Sequence, residues 1–64
     1  MKVKYDKETD VLYIRLNNNP VAESDSEKPG IVLDYDIEEN IVGIEVLNAS
    51  KKIERPLKVE HEVV

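Results

Sequence analysis

The chain has 64 residues, of which 41% are hydrophobic and 36% charged, and its net charge is −5. This length and balance describe one small globular domain. The absence of cysteine excludes a disulfide framework, a thiolate metal site and a cysteine nucleophile. No apolar run approaches the ~20 residues of a membrane-spanning helix and no signal-peptide pattern opens the chain, so we predict a cytoplasmic protein without membrane contact.

Alternating polar and apolar residues predict a chain made mostly of β-strands. Val and Ile together number 15 against two Ala, and such β-branched side chains favour a pleated sheet over a helix. We predict strands near residues 1–5, 10–17, 20–26, 30–36 and 40–47. A helical turn is predicted near 48–54, because Pro56 stops it after one or two turns. Residues 54–64 form an extension, either a last strand near 57–63 or a tail.

A pattern in the first half of the chain returns thirty residues later. The motif Y-D-x-E-x-D-V-L-x-I-x-L of residues 5–16 aligns with Y-D-x-E-x-N-I-V-x-I-x-V of residues 35–46. Each copy holds two alternating stretches around a short polar break, which is typical of a β-hairpin. We therefore predict a mainly β fold, an antiparallel β-meander built from two repeated hairpins with a short C-terminal helical turn. The alternative is an α+β fold with a longer C-terminal helix on the sheet.

Period-two alternation also predicts which side chains point inward. The predicted inward set is Val3, Tyr5, Leu12, Ile14, Leu16, Leu33, Tyr35, Val42, Ile44 and Val46. The opposite face then carries an apolar patch that a soluble monomer does not normally expose, and this patch consists of Val11, Tyr13, Val32 and Ile41. Either two chains meet there as a homodimer, or residues 48–64 fold back onto the patch through Ile53, Leu57, Val59 and Val63.

Two groups of acidic residues are candidate sites of chemistry. Asp6, Glu8 and Asp10 have the spacing that opens a calcium loop, but the glycine and the last glutamate of that loop are missing. We predict a solvated hairpin turn there instead. Asp34 and Asp36 share one face of a predicted strand, and we expect both to point to water because the other face holds the apolar side chains.

The remaining residues predict no catalytic, cofactor or metal site. His61 is the single imidazole, and we expect it at the surface rather than in a zinc site. Only two glycines are present, which excludes a glycine-rich phosphate loop. The sequence therefore predicts a protein that is not an enzyme and needs no cofactor.

The charge pattern favours a protein partner over nucleic acid. Residues 23–45 contain eight acidic residues and one basic residue, Lys28. This segment repels phosphate, which argues against nucleic acid, and it attracts a basic protein. The candidate contact is an acidic edge strand through Glu23, Asp25 and Glu27.

Four stretches of the sequence carry a family resemblance. They are Y-D-K-E-T-D-V-L-Y-I-R-L at 5–16, V-A-E-S at 21–24, P-G-I-V-L-D-Y-D at 29–36 and I-V-G-I-E-V-L-N-A-S at 41–50. In this order they resemble the small prokaryotic family called domain of unknown function 2283. The chain departs from the family pattern at Lys7, where Pro is frequent, and at Glu39-Asn40, where Asp-Gly is frequent. Asn40 can still supply a left-handed turn residue. We predict one small β domain over residues 1–53 and an extension over 54–64.

The resemblance implies no activity, because the family has no assigned catalytic residues. Some members look to be encoded beside small RelE-like toxins, which implies an antitoxin role. We therefore predict a non-enzymatic protein-interaction module, an antitoxin-like partner of a small basic toxin, with its partner-binding residues still to be identified. The alternative is an acidic metal- or ligand-binding domain, or a small enzyme, that uses the Asp and Glu clusters.

Overall fold

The computed structural model describes residues 1–64 as one antiparallel sheet of five strands. The strands are β1 (Lys2–Asp6), β2 (Val11–Arg15), β3 (Glu23–Lys28), β4 (Ile31–Tyr35) and β5 (Ile41–Leu47). The single helical element is one 3₁₀ turn at Ala49–Lys51. The predicted mainly β, antiparallel fold with a short C-terminal helical turn is thereby confirmed. No helix is long and apolar enough to span a bilayer.

The strands lie in the order β1-β2-β5-β4-β3, so β2 neighbours β5 rather than β3. β3, β4 and β5 form a continuous meander, and β1 and β2 form a separate hairpin. The connection from β2 to β3 passes β5 and β4 to reach the far edge, a Greek-key arrangement. Leu16 still donates its backbone N–H to the Val42 carbonyl at 2.9 Å, and Ala22 donates to Tyr35 at 2.8 Å. The crossing itself therefore needs only residues 17–21.

The sequence repeat becomes an approximate twofold symmetry of the sheet. β2 and β5 pair with Ile14 opposite Ile44, and these two residues occupy the same position of the repeat. The axis therefore passes between them, perpendicular to the sheet. Registers inside the two hairpins correspond as well, because Val3 lies opposite Ile14 and Leu33 lies opposite Ile44.

Two aspartates at matching repeat positions hold the hairpin turns. Asp6 Oδ1 accepts the backbone N–H groups of the residues two and three positions later, at 3.0 and 3.4 Å. Asp36 Oδ1 accepts those two and four positions later, both at 2.9 Å. Side chains of this kind stabilise turns by replacing backbone partners. The left-handed residue of the second turn is Glu39, with a φ of 67°, and not Asn40 as expected.

One face of the sheet, the first face, carries the predicted inward set. Cross-strand pairing aligns Val3, Ile14, Ile44 and Leu33 in one row and Tyr5, Leu12, Val46 and Ile31 in the next. Only three apolar residues are buried in the whole chain: Leu12, Val42 and Ala49. Most of the first face is therefore partly exposed, and Val3 and Leu16 retain 36% and 39% of their accessible surface. The predicted face is apolar, but this chain alone does not bury it.

On the opposite side of the sheet, the second face, polar side chains pack against one another, and no apolar segment lies over them. Asp34 is only 3% exposed and Asp36 only 8% exposed, so the expectation that both point to water is wrong. The reason is that each carboxylate accepts hydrogen bonds from groups within the fold, which offset the loss of hydration. Ile41 keeps 40% of its surface, and Val11, Tyr13 and Val32 are partly exposed.

The C-terminal segment is anchored at Asp10. Asp10 Oδ1 accepts the Ser50 backbone N–H at 2.9 Å and Oδ2 accepts the Ser50 hydroxyl at 2.7 Å, while Ala49 beside them is fully buried. Beyond the turn, residues 53–60 follow the first face along β1 and β2, where Ile53, Leu57 and Val59 border one depression with Val3, Leu12 and Ile14. The predicted fold-back onto the second face is thus wrong, because the Asp10 anchor leads the chain to the other side. No strand forms over 57–63.

Candidate functional site

β3 is an edge strand that exposes all of its residues. It is paired only with β4, and each of its six side chains is accessible to solvent. Its sequence, E-S-D-S-E-K, contains three acids. The register shifts between Asp25 and Lys28, which distorts the strand. Charge and distortion of this kind protect an edge from pairing with a foreign sheet, so a selective contact at β3 must rely on side chains.

The acids of β3 converge on the ring of Tyr35. Glu23 lies directly opposite Tyr35, and Asp25 lies opposite the next residue of the same face, Leu33. The Tyr35 hydroxyl donates to Glu27 Oε1 at 3.4 Å. Burial raises the pKa of Tyr35, and the carboxylates of Glu27, Asp25 and Glu23 raise it further. The ring therefore sits in a negative field produced by three carboxylates.

These groups frame a shallow depression at the corner of the sheet. Glu23, Asp25, Tyr35 and Glu39 line it, and its volume is about 310 Å³. A depression with three carboxylates around an aromatic ring has the chemistry that receives a guanidinium or ammonium group, by charge and by stacking on the ring. A second depression, of about 560 Å³, adjoins it through Glu23 and Glu39 and also includes Glu38 and the highly exposed Ile37.

A separate polar cluster occupies the second face around Gly43. Asp34 Oδ1 accepts the Ser24 hydroxyl at 2.6 Å, and Asp34 Oδ2 accepts the Tyr13 hydroxyl at 3.0 Å. Arg15 in turn donates to the Tyr13 oxygen at 3.3 Å. A Cβ on Gly43 would stand 3.1 Å from both the Tyr13 hydroxyl and Asp34 Oδ2. Gly43 therefore provides the space in which Tyr13 and Asp34 meet.

The carboxyl group of Glu45 belongs to the margin of this cluster. Glu45 lies opposite Tyr13 on one side and Val32 on the other. Burial raises the pKa of Glu45, and the charge of Asp34 and a hydrogen bond to it raise that pKa further. A shallow depression of about 450 Å³ begins beside Glu45 and is otherwise lined by Lys4, Asp6, Thr9, Val11 and Tyr13.

The polar cluster has a structural role, because its groups are held by hydrogen bonds within the fold. No buried side-chain nitrogen or oxygen of the chain lacks a hydrogen-bond partner. Arg15 is itself tied down, because its Nε donates to the Asn17 carbonyl at 2.8 Å and its second terminal nitrogen contacts the Asn19 carbonyl. Ser24, Asp34 and Tyr13 therefore bind one another and join β3, β4 and β2.

The acidic residues with the spacing of a calcium loop, Asp6, Glu8 and Asp10, do not form a metal site. Asp10 binds Tyr5 and Ser50, and these hydrogen bonds lower its pKa. Asp6 holds its turn, and Glu8 is exposed. No group of three or more His, Cys, Asp or Glu side chains in the chain has a geometry that could hold a metal ion. His61 lies exposed in the C-terminal segment.

Sequence reasoning missed Ser24, Tyr13 and Gly43 as members of one cluster. The close approach that Gly43 permits is an approach of two side chains, those of Tyr13 and Asp34. The cluster could not be found from spacing, because it joins residues of β2, β3, β4 and β5 that lie up to 30 positions apart in the chain.

Comparison with known proteins identifies the family of this chain. The model of the family described as "Protein of unknown function (DUF2283)" matches residues 2–50. The match covers all five strands and most of the 3₁₀ turn. The chain therefore belongs to this family. Neither a curated protein nor a solved structure matches it.

Proposed function

We propose that this member of a family of unknown function is a non-enzymatic protein-interaction module that binds a basic protein through its acidic edge. The observation that supports this function is the convergence of Glu23, Asp25 and Glu27 on Tyr35 in an exposed edge strand. A protein whose acidic residues serve only solubility can have them spread over its surface. Such a protein has no need of three acids around one aromatic ring, beside a depression that also includes Glu39.

The partner that this site fits is a small basic protein that presents arginine or lysine side chains. Charge attraction steers such a partner to the edge, and rim charges act mostly on the rate of association. Ribonuclease toxins of the RelE-like class have this character, because a surface that binds RNA phosphate is basic. An acidic edge laid over that surface would exclude RNA, which is the action of an antitoxin.

The alternative functions have less support in the structure. A metal-binding role needs carboxylates whose oxygens converge on one point, and no three of this chain have that geometry. An enzyme needs a cleft with a free acid, base or nucleophile. The hydroxyls of Ser24 and Ser50 are both held by aspartate side chains, Asp34 and Asp10.

The test is inhibition of a RelE-like ribonuclease toxin encoded beside a gene of this family, measured as RNA cleavage with increasing amounts of the full chain. We expect inhibition that weakens as salt rises. The variant Glu23→Gln/Asp25→Asn/Glu27→Gln should lose at least about tenfold in affinity, equal to 1.4 kcal/mol.

A matched control neutralises three acids elsewhere, Glu54→Gln/Glu60→Gln/Glu62→Gln, with the same change in net charge. We expect this control to inhibit like the parent chain. Equal losses in both variants would show that only net charge matters and would remove the assignment of the site to β3. Absence of inhibition by the parent chain would contradict the antitoxin role.

A further inference from the structure

The first face is uneven in height, and this unevenness indicates what covers it. Residues 53–60 run along its β1–β2 half, beside Val3, Leu12 and Ile14, and form a ridge. Leu57 and Val59 of this ridge remain 41% and 61% exposed. On the β4–β5 half, the side chains of Ile31, Leu33, Ile44 and Val46 are partly exposed and lie on the sheet itself. One half thus carries a segment in which Ile53, Leu57 and Val59 alternate with charged residues, here called the ridge, and the other half is the uncovered apolar sheet, here called the trough.

We infer that a second copy of this chain covers the first face, with the ridge of each copy seated in the trough of the other. This inference does not rest on the proposed function, because it uses the apolar side chains of the first face, but Asp25 lies on that face and is shared by both surfaces. The mass of the chain and the inhibition of a toxin are separate measurements, so the failure of one proposal is distinguishable from the failure of the other. A twofold axis lying between the sheets and parallel to the strands places the β1 side of one copy over the β3 side of the other. The contact is then isologous and closed, as in most stable homodimers.

The shape of the face selects this axis over the alternatives. An axis perpendicular to the strands would set ridge against ridge and leave the two troughs facing each other across a void. The axis parallel to the strands brings Leu57 and Val59 of one copy to Leu33 and Ile44 of the other. Apolar atoms then meet apolar atoms on both halves, which is the main source of association energy.

The positions of charged residues also favour the twofold axis parallel to the strands. The central row of the first face runs Val3, Ile14, Ile44, Leu33 and ends at Asp25 of β3. Lys58 borders the same depression as Val3, at the opposite end of that row, together with Glu54 and Glu60, and its pair with Glu60 at 3.1 Å is highly exposed. The proposed axis sets Asp25 of each copy against Lys58 of the other, whereas the perpendicular axis would set the acidic β3 strands against each other.

The available area is sufficient for a stable dimer. The molecule measures 36 × 31 × 19 Å, so it is a plate whose broad face is on the order of 1,000 Å², above the ~800 Å² per partner of a standard interface. The first face also has apolar side chains left to bury, because the chain by itself buries only Leu12, Val42 and Ala49 among its apolar side chains. A second copy converts this single layer into a two-layer sandwich.

Sedimentation equilibrium of the purified full chain tests the inference. We expect the mass of a dimer at high micromolar concentration. Leu57→Ser/Val59→Ser removes apolar groups from the exposed ridge and should raise the dissociation constant of the dimer at least about tenfold. The matched control is Val63→Ser/Val64→Ser, which changes two exposed valines beyond the ridge and should leave the mass unchanged.

A charge exchange between exposed residues tests the axis without endangering the fold. Asp25→Lys alone and Lys58→Glu alone should each weaken the dimer several-fold, because each sets like charges together. The double variant should return to within about twofold of the parent chain, since coupled pairs are not additive. A monomeric parent chain, or a dimer that none of these changes affects, overturns the inference.

Discussion

The carboxyl group of Glu45 lies in an environment that disfavours its ionised form. Burial and the neighbouring charge of Asp34 raise the pKa of Glu45 above the ordinary 4.5. Its ionised form is therefore penalised in the folded state and not in the unfolded chain. This penalty on folding is absent well below pH 4.5 and is fully present once the pH exceeds the raised pKa.

Glu45→Gln should consequently raise the melting temperature at pH 7 relative to the parent chain. The amide keeps the size of the side chain and can still donate a hydrogen bond to Asp34. The advantage should shrink as the pH is lowered and vanish below pH 4.5, which thermal unfolding over a range of pH measures. Glu62→Gln, at an exposed position, is the control and should leave the melting temperature unchanged. If Glu45→Gln raised the melting temperature by the same amount at every pH, the raised pKa of Glu45 could not be the cause.

The two hairpin turns are equivalent in sequence but not in environment. Asp36 is 8% exposed and accepts a third hydrogen bond, from the Asn19 side chain at 3.3 Å, whereas its counterpart Asp6 is exposed. Hydrogen bonds from the backbone of Asn40 and Glu38 lower the pKa of Asp36 below its ordinary 3.8. The stability that Asp36 contributes is therefore present above pH 3.8 and is lost as the pH falls through the lowered pKa.

Asp36→Ala should lower the melting temperature at pH 7 by about 4–8 °C, while Asp6→Ala should lower it by clearly less. The reason is that the N–H groups of the second turn are left without an acceptor in a sheltered place, whereas those of the first turn reach water. Thermal unfolding followed by circular dichroism measures both changes. The difference between Asp36→Ala and the parent chain should decrease below pH 3.8. Equal losses for the two variants would show that the sheltered setting of Asp36 has no effect.

The whole molecule is a single sheet, and its apolar side chains differ in how far the chain itself buries them. From the pattern alone, Ile14→Ala or Ile44→Ala is expected to cost roughly 2–5 kcal/mol, as in a closed core. In the structure Leu12 is 8% exposed, whereas both isoleucines are partly exposed. Leu12→Ala should therefore cost about 2–5 kcal/mol at any protein concentration, since its burial comes from the chain itself.

Ile44→Ala should cost less than Leu12→Ala in dilute solution, and its cost should grow with protein concentration. The proposed dimer would stabilise the folded state by mass action, and Ile44 lies in the trough that we propose a second copy to fill. The measurement is the melting temperature of each variant and of the parent chain at low and high protein concentration. A cost of Ile44→Ala that stays the same at both concentrations would contradict the burial of the trough by a second copy.

The sequence by itself determined the local structure of this protein. Alternation with period two predicted all five strands and the apolar first face, because the direction of a side chain in a strand depends only on its neighbours in the chain. The short polar breaks between the alternating stretches marked the hairpin turns, and the thirty-residue repeat predicted two equivalent hairpins. Each strand and each turn depends on residues close together in the chain, so these elements can be predicted from the pattern.

Only the tertiary structure decided how these parts meet. The placement of β2 beside β5, the burial of Asp34 under Tyr13 and Ser24, and the path of residues 53–60 along the first face all depend on contacts between distant residues. The space beside Gly43 admits the tyrosine hydroxyl and the carboxylate together, and the bonds from Asp10 to Ser50 direct the C-terminal segment. Neither the contact beside Gly43 nor the bonds between Asp10 and Ser50 can be inferred from spacing in the sequence. A buried polar group bonds to a partner that the pairing of the strands brings close to it.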